Sequence, residues 1–284
     1  MDDHMKSLME LFITYLKTKG TLSVNTLESY IRDVQQYTEF LHDKGIEEIR
    51  RAPYHIFTDF IELQKEKGRA PTTINRSMAS VRAFYRFLLM EEYIKVNPTI
   101  GVVSPKIIKK AGGVLTKEEV ARLLDQPERM GLKGIRDKGM LELVYASGIR
   151  VNEMIELNID DFDEKNRILK CGEKGSERFL PLNTSCIKPM MDYIEMGRPF
   201  MLRDRNEKAL FVNTNGGRLS RQGFWKIIKQ YAIDAGIDRD ITPHALRQAL
   251  AVHMLQDGRS EEDVKVFFGR SDLTSLQEYV LGEK

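Results

Sequence analysis

Residues 71–92 read PTTINRSMASVRAFYRFLLMEE, and this stretch carries the clearest helical pattern in the chain. Apolar side chains recur along it in alternating steps of four and three residues, which keeps them on one face of an α-helix. The members of this apolar stripe are Ile74, Met78, Val81, Tyr85 and Leu88. Pro71 suits the first helical turn, where its missing N–H group would have no partner in any case. The stretch therefore predicts a long helix with one buried face.

Three more helices are predicted ahead of this stretch, so the N-terminal part of the chain reads as a four-helix domain. A glycine follows each of them, at a position where helices commonly end. They cover residues 8–19, 26–44 and 56–67.

The boundary of this domain is indicated by a change in composition. Asn97 and Pro98 end the helical region, and residues 103–113 read as a basic linker that contains proline and glycine. We therefore expect a first domain over residues 1–102 and a second over residues 114–284.

The second domain reads as mostly helical with one β element. Thr116 and the glutamates that follow it indicate a helix N-terminus. The stretches 168–171 and 177–182 flank a turn that contains glycine, and they predict a β-hairpin. Further helices are predicted at 135–146, 150–157, 220–235, 243–256, 261–268 and 274–280. The expected fold class is mainly α, with a small antiparallel sheet in the second domain.

The composition is that of an ordinary globular protein, with 42% hydrophobic and 30% charged residues in a chain of 284. No apolar stretch approaches the ~20 residues of a membrane-spanning helix, and the N-terminus lacks a signal-peptide pattern. A cytoplasmic protein without membrane association is therefore expected. Cys171 and Cys186 have no motif spacing, so neither a disulfide framework nor a metal site is expected.

The net charge of +2 does not by itself indicate nucleic-acid binding, so any affinity for DNA must come from local patches. One such patch is a polar face of the helix at 71–92, opposite its apolar stripe. This face is either a solvated charged surface or a surface that contacts DNA, and its pattern leaves both interpretations open. The candidate DNA-binding residues are Arg76, Ser77, Arg82 and Arg86.

The segment 242–247 reads TPHALR and indicates a helix start that carries two polar side chains. Thr242 can cap the helix, and Pro243 suits its first position. His244 and Arg247 are three residues apart, so they share one face of the first turns. Backbone N–H groups at a helix N-terminus also favour an anion such as a phosphate.

Three other positions carry side chains suited to the same chemistry. Arg150 begins a helix after a glycine turn, Lys174 lies in the predicted hairpin turn, and Tyr279 lies near the end of the chain. Each of them also has an ordinary structural explanation. Arg150 could pair with Glu153 or Glu156, Lys174 could be solvated, and Tyr279 could pack on its helix.

Taken together, the order and spacing of these segments resemble the tyrosine recombinases of the integrase family, and most of all the Xer site-specific recombinases. The segments 22–30 and 73–88 resemble the core-binding helices of that family, which implies an N-terminal SAM-like domain. The segments 145–153, 172–178 and 242–247 resemble its first arginine motif, its lysine hairpin and its histidine–arginine motif. The resemblance covers nearly the whole chain.

The resemblance implies that Tyr279 attacks a scissile phosphate and gives a 3′-phosphotyrosine and a free 5′-hydroxyl. Arg150 and Arg247 would hold the non-bridging oxygens. His244 would accept the tyrosine proton, and Lys174 would protonate the departing 5′-oxygen. The energy of the phosphodiester stays in the covalent bond, so the reaction requires neither a cofactor nor a metal ion.

Arg270 stands where the family usually has a histidine or a tryptophan, and it is a further catalytic candidate because an arginine can donate to a phosphate oxygen. Glu153 is expected to orient Arg150, whereas His253 is expected to be a packing residue. The implied partner is a double-stranded DNA recombination site, bound by a homo-tetramer or by this chain paired with a related recombinase.

Two other functions remain open from the residues. A non-catalytic DNA-binding protein with the same fold would explain Arg270 and the few residues that follow Tyr279. An enzyme like the type IB topoisomerases would use the same residues to relax supercoils as a monomer. For a recombinase, the reaction would serve DNA integration or the resolution of chromosome or plasmid dimers.

Overall fold

The computed structural model describes residues 3–20, 22, 24–106, 113–129, 131–172, 177–239 and 241–269. Three of the catalytic candidates, Lys174, Arg270 and Tyr279, lie outside the described residues, as does the helix predicted at 274–280. The chain divides into two compact units, Met1–Lys110 and Ala111–Lys284. The domain and linker boundaries expected from composition remain predictions.

The first unit is a bundle of four helices, as the apolar periodicity predicts. The fourth helix ends two residues earlier than the pattern alone indicates, since Glu91 already leaves helical geometry. A short 3-10 helix, Ile49–Arg51, lies between the second and third of them. The four are α1 (Asp3–Lys19), α2 (Val24–Asp43), α3 (Ile56–Glu66) and α4 (Pro71–Met90).

The core of the first unit forms around the apolar stripe of α4, whose five members are at most 3% exposed. Within this core the hydroxyls of Tyr37 on α2 and Tyr85 on α4 lie 2.7 Å apart, and both residues are 0% exposed. Burial raises the pKa of both phenols above the ordinary value of 10.0, so both hydroxyls stay neutral. The contact gives two buried polar groups a partner within the apolar core.

The second unit combines eight helices with a three-stranded antiparallel sheet among its described residues, which confirms the expected fold class. The strands are β1 (Phe162–Asp163), β2 (Ile168–Cys171) and β3 (Arg178–Pro181), in the order β1-β2-β3. The helices are α5 (Lys117–Asp125), α6 (Gly131–Ser147), α7 (Val151–Glu156), α8 (Thr184–Asp192), α9 (Arg198–Met201), α10 (Arg221–Asp234), α11 (Pro243–Gln256) and α12 (Glu261–Phe268).

Helix α6 leads to the turn that carries Arg150, and a buried ion pair anchors it in the core. Arg136 and Asp137 are 3% and 4% exposed, and the guanidinium Nε donates to the carboxylate at 2.8 Å. The second carboxylate oxygen accepts a hydrogen bond from the Tyr231 hydroxyl on α10 at 2.9 Å. These contacts offset the cost of burying the two charges and fix α6 against α10.

None of the described helices is both long enough and apolar enough to cross a lipid bilayer.

The Tyr37–Tyr85 pair gives a first prediction, because removing one hydroxyl leaves the other buried without its partner. Tyr85→Phe should lower the free energy of unfolding by about 1–3 kcal/mol. The double variant Tyr37→Phe/Tyr85→Phe should cost less than the sum of the two single changes, since it leaves no orphaned hydroxyl. Urea unfolding followed by far-UV circular dichroism measures these differences. Tyr93→Phe, at a position that is 39% exposed, is the control, and strictly additive losses would contradict the prediction.

Candidate active site

A cleft in the second unit brings three of the sequence-predicted residues together. It has a volume of about 290 Å³ and lies where the first residues of α7 and α11 face each other. Its walls include Arg150, His244 and Arg247. Two cations and an imidazole around one open space form a site suited to a tetrahedral anion such as a phosphate group.

The start of α11 forms as its sequence predicts. Thr242 caps the helix by accepting a hydrogen bond from the backbone N–H of Ala245 at 3.3 Å, and Pro243 occupies the first turn. The cap places His244 at the exposed mouth of the cleft, whereas Arg247, one turn later, is only 7% exposed. The backbone dipoles at the N-terminal end of this helix would also attract an anion in the cleft.

Arg247 is held from behind by the last residue of α12. Its Nη2 atom donates to the carbonyl oxygen of Phe268 at 3.2 Å, and its guanidinium carbon lies 4.6 Å from the centre of the Phe268 ring. A guanidinium stacked on an aromatic face loses little rotamer freedom when it binds an anion. The orientation of Arg247 is therefore set by the protein before any ligand arrives.

Arg150 is positioned by the tight turn between α6 and α7. Gly148 adopts a positive φ of +59°, and a Cβ atom there would lie 2.4 Å from the Phe268 ring. No other residue fits this turn without displacing the ring, because L side chains disfavour that φ and the space is already filled. Arg150 follows two residues later at the N-cap position of α7, and its side chain is 42% exposed.

The predicted contact between Glu153 and Arg150 is present. One carboxylate oxygen accepts from the Arg150 guanidinium at 3.1 Å, and the other accepts from its backbone N–H at 3.0 Å. The second oxygen also accepts from Nη2 of Arg178 at 2.8 Å. Burial works to raise the pKa of this carboxyl, but the bonds from Arg178 and Arg150 outweigh it and hold the pKa below its ordinary value of 4.5.

Arg178 was not among the sequence-predicted site residues. Residue exposure alternates along β3, and Arg178 lies on the same side as Leu180, which is 3% exposed. An arginine at an inward-facing strand position is unusual, and in a strand whose register is known it indicates a buried acidic or carbonyl partner. That register signal was present in the hairpin sequence.

His253 is a packing residue, as expected. It is 4% exposed, and its Nδ1 atom lies 2.8 Å from the Tyr145 hydroxyl. Burial lowers its pKa, which favours the neutral ring. As for metals, the described residues contain no group of three or more histidine, cysteine or acidic side chains that could hold an ion.

The four candidate DNA-binding residues of α4 have different surroundings. Arg86 is exposed, and Arg76 is exposed while donating to the buried carboxylate of Asp33 at 3.0 Å. Arg82 is half-buried and donates to Ser104 at 3.2 Å, within its own unit.

Ser77 is 4% exposed and faces the interior of the bundle. Its position is three residues after Ile74 and four before Val81, so helical geometry turns it toward the apolar stripe. Ser77 is therefore buried, whereas Arg76 and Arg86 on the same helix are exposed.

Comparison with known proteins finds matches to both units of the chain. The sequence model of the phage integrase family matches residues 113–283, and that of the phage integrase N-terminal SAM-like domain matches residues 9–92. The tyrosine recombinase XerD of Staphylococcus epidermidis is 36% identical over 276 residues, which are 97% of this chain and 94% of that protein. XerD of Oceanobacillus iheyensis is 38% identical over 95% of this chain and 92% of its own length.

Solved structures show the same fold at lower identity. The Tn1549 transposon integrase in complex with transposon right end DNA has a TM-score of 0.76 and 17% identity, over 96% of this chain and 94% of the other. A lambda integrase dimer bound to a COC′ core site has a TM-score of 0.74 and 14% identity, with the same coverage.

The lowered pKa of Glu153 gives a second prediction. The charged form of the Glu153 carboxyl is favoured in the folded state. Its contribution to the free energy of unfolding is therefore complete above pH 4.5 and is lost as the pH falls through the folded-state pKa. Glu153→Gln should therefore lower the free energy of unfolding by about 1–3 kcal/mol at pH 7. The gap between wild type and variant should close below pH 4.5.

Urea unfolding followed by the fluorescence of Trp225, the single tryptophan, measures this gap in the second unit. Glu156→Gln is the matched control, because Glu156 lies on the same helix with its side chain exposed. Equal losses for the two variants, or a gap that does not change with pH, would contradict the prediction.

Proposed function

The chain belongs to the phage integrase family and is a site-specific tyrosine recombinase, and we propose that Tyr279 is its nucleophile. The observation that carries this assignment is the cleft in which Arg150, His244 and Arg247 meet. Tyr279 and Lys174 match the remaining family motifs in order along the chain.

The two arginines of the cleft would bind the non-bridging oxygens of the scissile phosphate. Charge builds on these oxygens as the phosphorus becomes five-coordinate, and fixed guanidinium donors stabilise it most when they need no rearrangement. The stacking of Arg247 on Phe268 and the bonds from Arg150 to Glu153 support this role.

In the cleavage step, the Tyr279 oxygen forms a bond to phosphorus, and the bond from phosphorus to the 5′-oxygen breaks. A tyrosine hydroxyl has a pKa of about 10, so it needs a base, and we assign its proton to His244 at the exposed mouth of the cleft. Lys174 would supply the proton that the departing 5′-oxygen takes up. Attack by a different 5′-hydroxyl reverses the step and rejoins the strands, with no net change in the number of phosphodiester bonds.

Arg270 is proposed as a further donor to the phosphate, because it occupies the position where the family usually has histidine or tryptophan. We also propose that the enzyme acts in the cytoplasm on double-stranded DNA recombination sites, as a homo-tetramer or paired with a related recombinase. Its reaction would serve DNA integration or the resolution of chromosome or plasmid dimers.

The first unit would contribute to DNA affinity through α4. Arg76 and Arg86 are the exposed cations on that helix, and we assign them to phosphate contacts. Arg82 is assigned a smaller contribution to DNA affinity, because its guanidinium already donates to Ser104. Ser77 is left out of the proposed surface, since it is only 4% exposed.

A nicked suicide duplex tests the nucleophile. Wild-type protein should form a covalent complex that survives denaturing electrophoresis, and Tyr279→Phe should form none, because phenylalanine has no oxygen to attack phosphorus. The duplex is taken from sites that the protein selects out of a random-sequence library. Tyr54→Phe, at a tyrosine that is 62% exposed in the first unit, is the control and should react normally.

Trapping that survives Tyr279→Phe would overturn the assignment of the nucleophile. Tight binding without covalent product in the wild-type protein would instead support the non-catalytic alternative. Supercoil relaxation without joined recombinant products would support the topoisomerase alternative.

A salt titration tests the DNA contact of α4. Arg86→Ala should weaken binding and should reduce the slope of log K against log salt by about 0.9, as expected for one lost phosphate contact. Arg86 is a cleaner choice than Arg76, whose removal would leave the buried Asp33 carboxylate without its ion pair. Lys65→Ala is the control, because Lys65 is an exposed cation of α3 paired with Glu62 at 2.8 Å. An unchanged slope for Arg86→Ala would remove it from the contact surface.

A further inference from the structure

We propose that Arg178 is a positioning residue that holds Arg150 and Arg247 in the geometry required by the scissile phosphate. The inference rests on the proposed function of the cleft. Arg178 is not one of the residues that line the cleft, but it contacts Glu153 and Phe268, which bind the lining arginines. The basis of the inference is a continuous set of hydrogen bonds that joins the two arginines through Arg178.

The first half of this connection is the carboxylate of Glu153. It accepts from the Arg150 guanidinium at 3.1 Å and from Nη2 of Arg178 at 2.8 Å. Glu153 is 14% exposed at its side chain, so water competes weakly for these bonds. Without Arg178, one oxygen of Glu153 would lose its strongest donor, and the carboxylate could rotate and carry Arg150 with it.

The second half is the carbonyl oxygen of Phe268 at the C-terminal end of α12. It accepts from Nη1 of Arg178 and from Nη2 of Arg247, each at 3.2 Å. The last carbonyls of a helix have no partner within the helix and carry partial negative charge, so they attract guanidinium groups. Arg178 and Arg247 thus share one acceptor, and a shift of either changes the position of the other.

The strand geometry directs Arg178 to this location. It pairs with Cys171 across β2 and β3, and its side chain is 25% exposed. The next residue, Phe179, points outward and is 65% exposed. The strand register therefore points the Arg178 guanidinium inward. There it contacts Glu153 and Phe268, which are 25 and 90 positions away in the sequence.

Arginine suits this position better than lysine. Its two terminal nitrogens donate at the same time to Glu153 and to the Phe268 carbonyl. A lysine offers a single nitrogen on a flexible stem and cannot reproduce the planar fork. Arg178→Lys therefore keeps the charge and removes the connection, which separates positioning from simple electrostatics.

Single-turnover cleavage of the suicide duplex by the full-length protein tests the proposal. Arg178→Ala and Arg178→Lys should each reduce the cleavage rate by about 10- to 100-fold, the same order as the loss of a partner that orients a metal ligand. Binding of the duplex, measured by fluorescence anisotropy at the same salt concentration, should stay unchanged. The matched control is Lys170→Ala, which removes an exposed cation from the same hairpin, where Lys170 pairs with Glu177 at 3.6 Å.

A second substrate separates positioning from a general structural defect. In a methylphosphonate duplex, a methyl group replaces one non-bridging oxygen, so the scissile linkage is neutral and depends less on oriented guanidinium groups. The rate penalty of Arg178→Ala should therefore shrink on this duplex, and added guanidinium ion should partly restore cleavage of the normal one. A variant that is merely misfolded would show the same penalty on both substrates and no rescue, and that result would overturn the proposal.

The thermal unfolding midpoint of each variant is recorded alongside, and Arg178→Lys serves if the alanine variant does not fold. Wild-type cleavage rates for both Arg178 variants would overturn the inference and leave the proposed function intact. Absence of covalent product in the wild-type protein would instead overturn the proposed function.

Discussion

Mutual repulsion among three guanidinium groups is the constraint that the candidate active site has to satisfy. Arg150, Arg178 and Arg247 converge on two acceptors, the carboxylate of Glu153 and the carbonyl of Phe268. Repulsion between like charges grows as water is excluded, so such a group holds together only where every cation has an acceptor of fixed position. The acceptors come from α7 and α12, and the cations from the start of α7, from β3 and from α11. The site therefore forms only when these four elements have met.

The sequence predicts the helices well because most of them bury one face, and the spacing of apolar residues reports that face directly. The region of α8 and α9 was not predicted. Pro189 lies inside α8, and a π-helical stretch, Tyr193–Gly197, separates α8 from α9. Local propensity argues against a helix there, but Met190 and Tyr193 are 0% exposed and their packing outweighs it. Tertiary contacts of this kind leave no periodic signal in the sequence.

In the candidate site, too, local sequence motifs predicted some residues, whereas residues that depend on tertiary contacts were missed. Arg150, His244 and Arg247 could be predicted because each lies in a short motif at a helix start, where a few adjacent residues determine geometry. Arg178 was missed, because its inward-facing position in the hairpin indicates only that it has a buried acceptor, and one of its two acceptors lies 90 positions away in the sequence. The spacing along α4 placed Ser77 beside the arginines, and rotation of about 100° per residue turned it into the core.

The contact between Gly148 and the Phe268 ring has a consequence for protein engineering. The ring fills the space that a side chain at 148 would need, and the same residue supplies the carbonyl that the arginines share. A laboratory effort to retarget the enzyme could not vary either position alone without disturbing the turn that presents Arg150. The exposed arginines of α4 belong to the other compact unit, so they can be changed without touching the contacts around this turn.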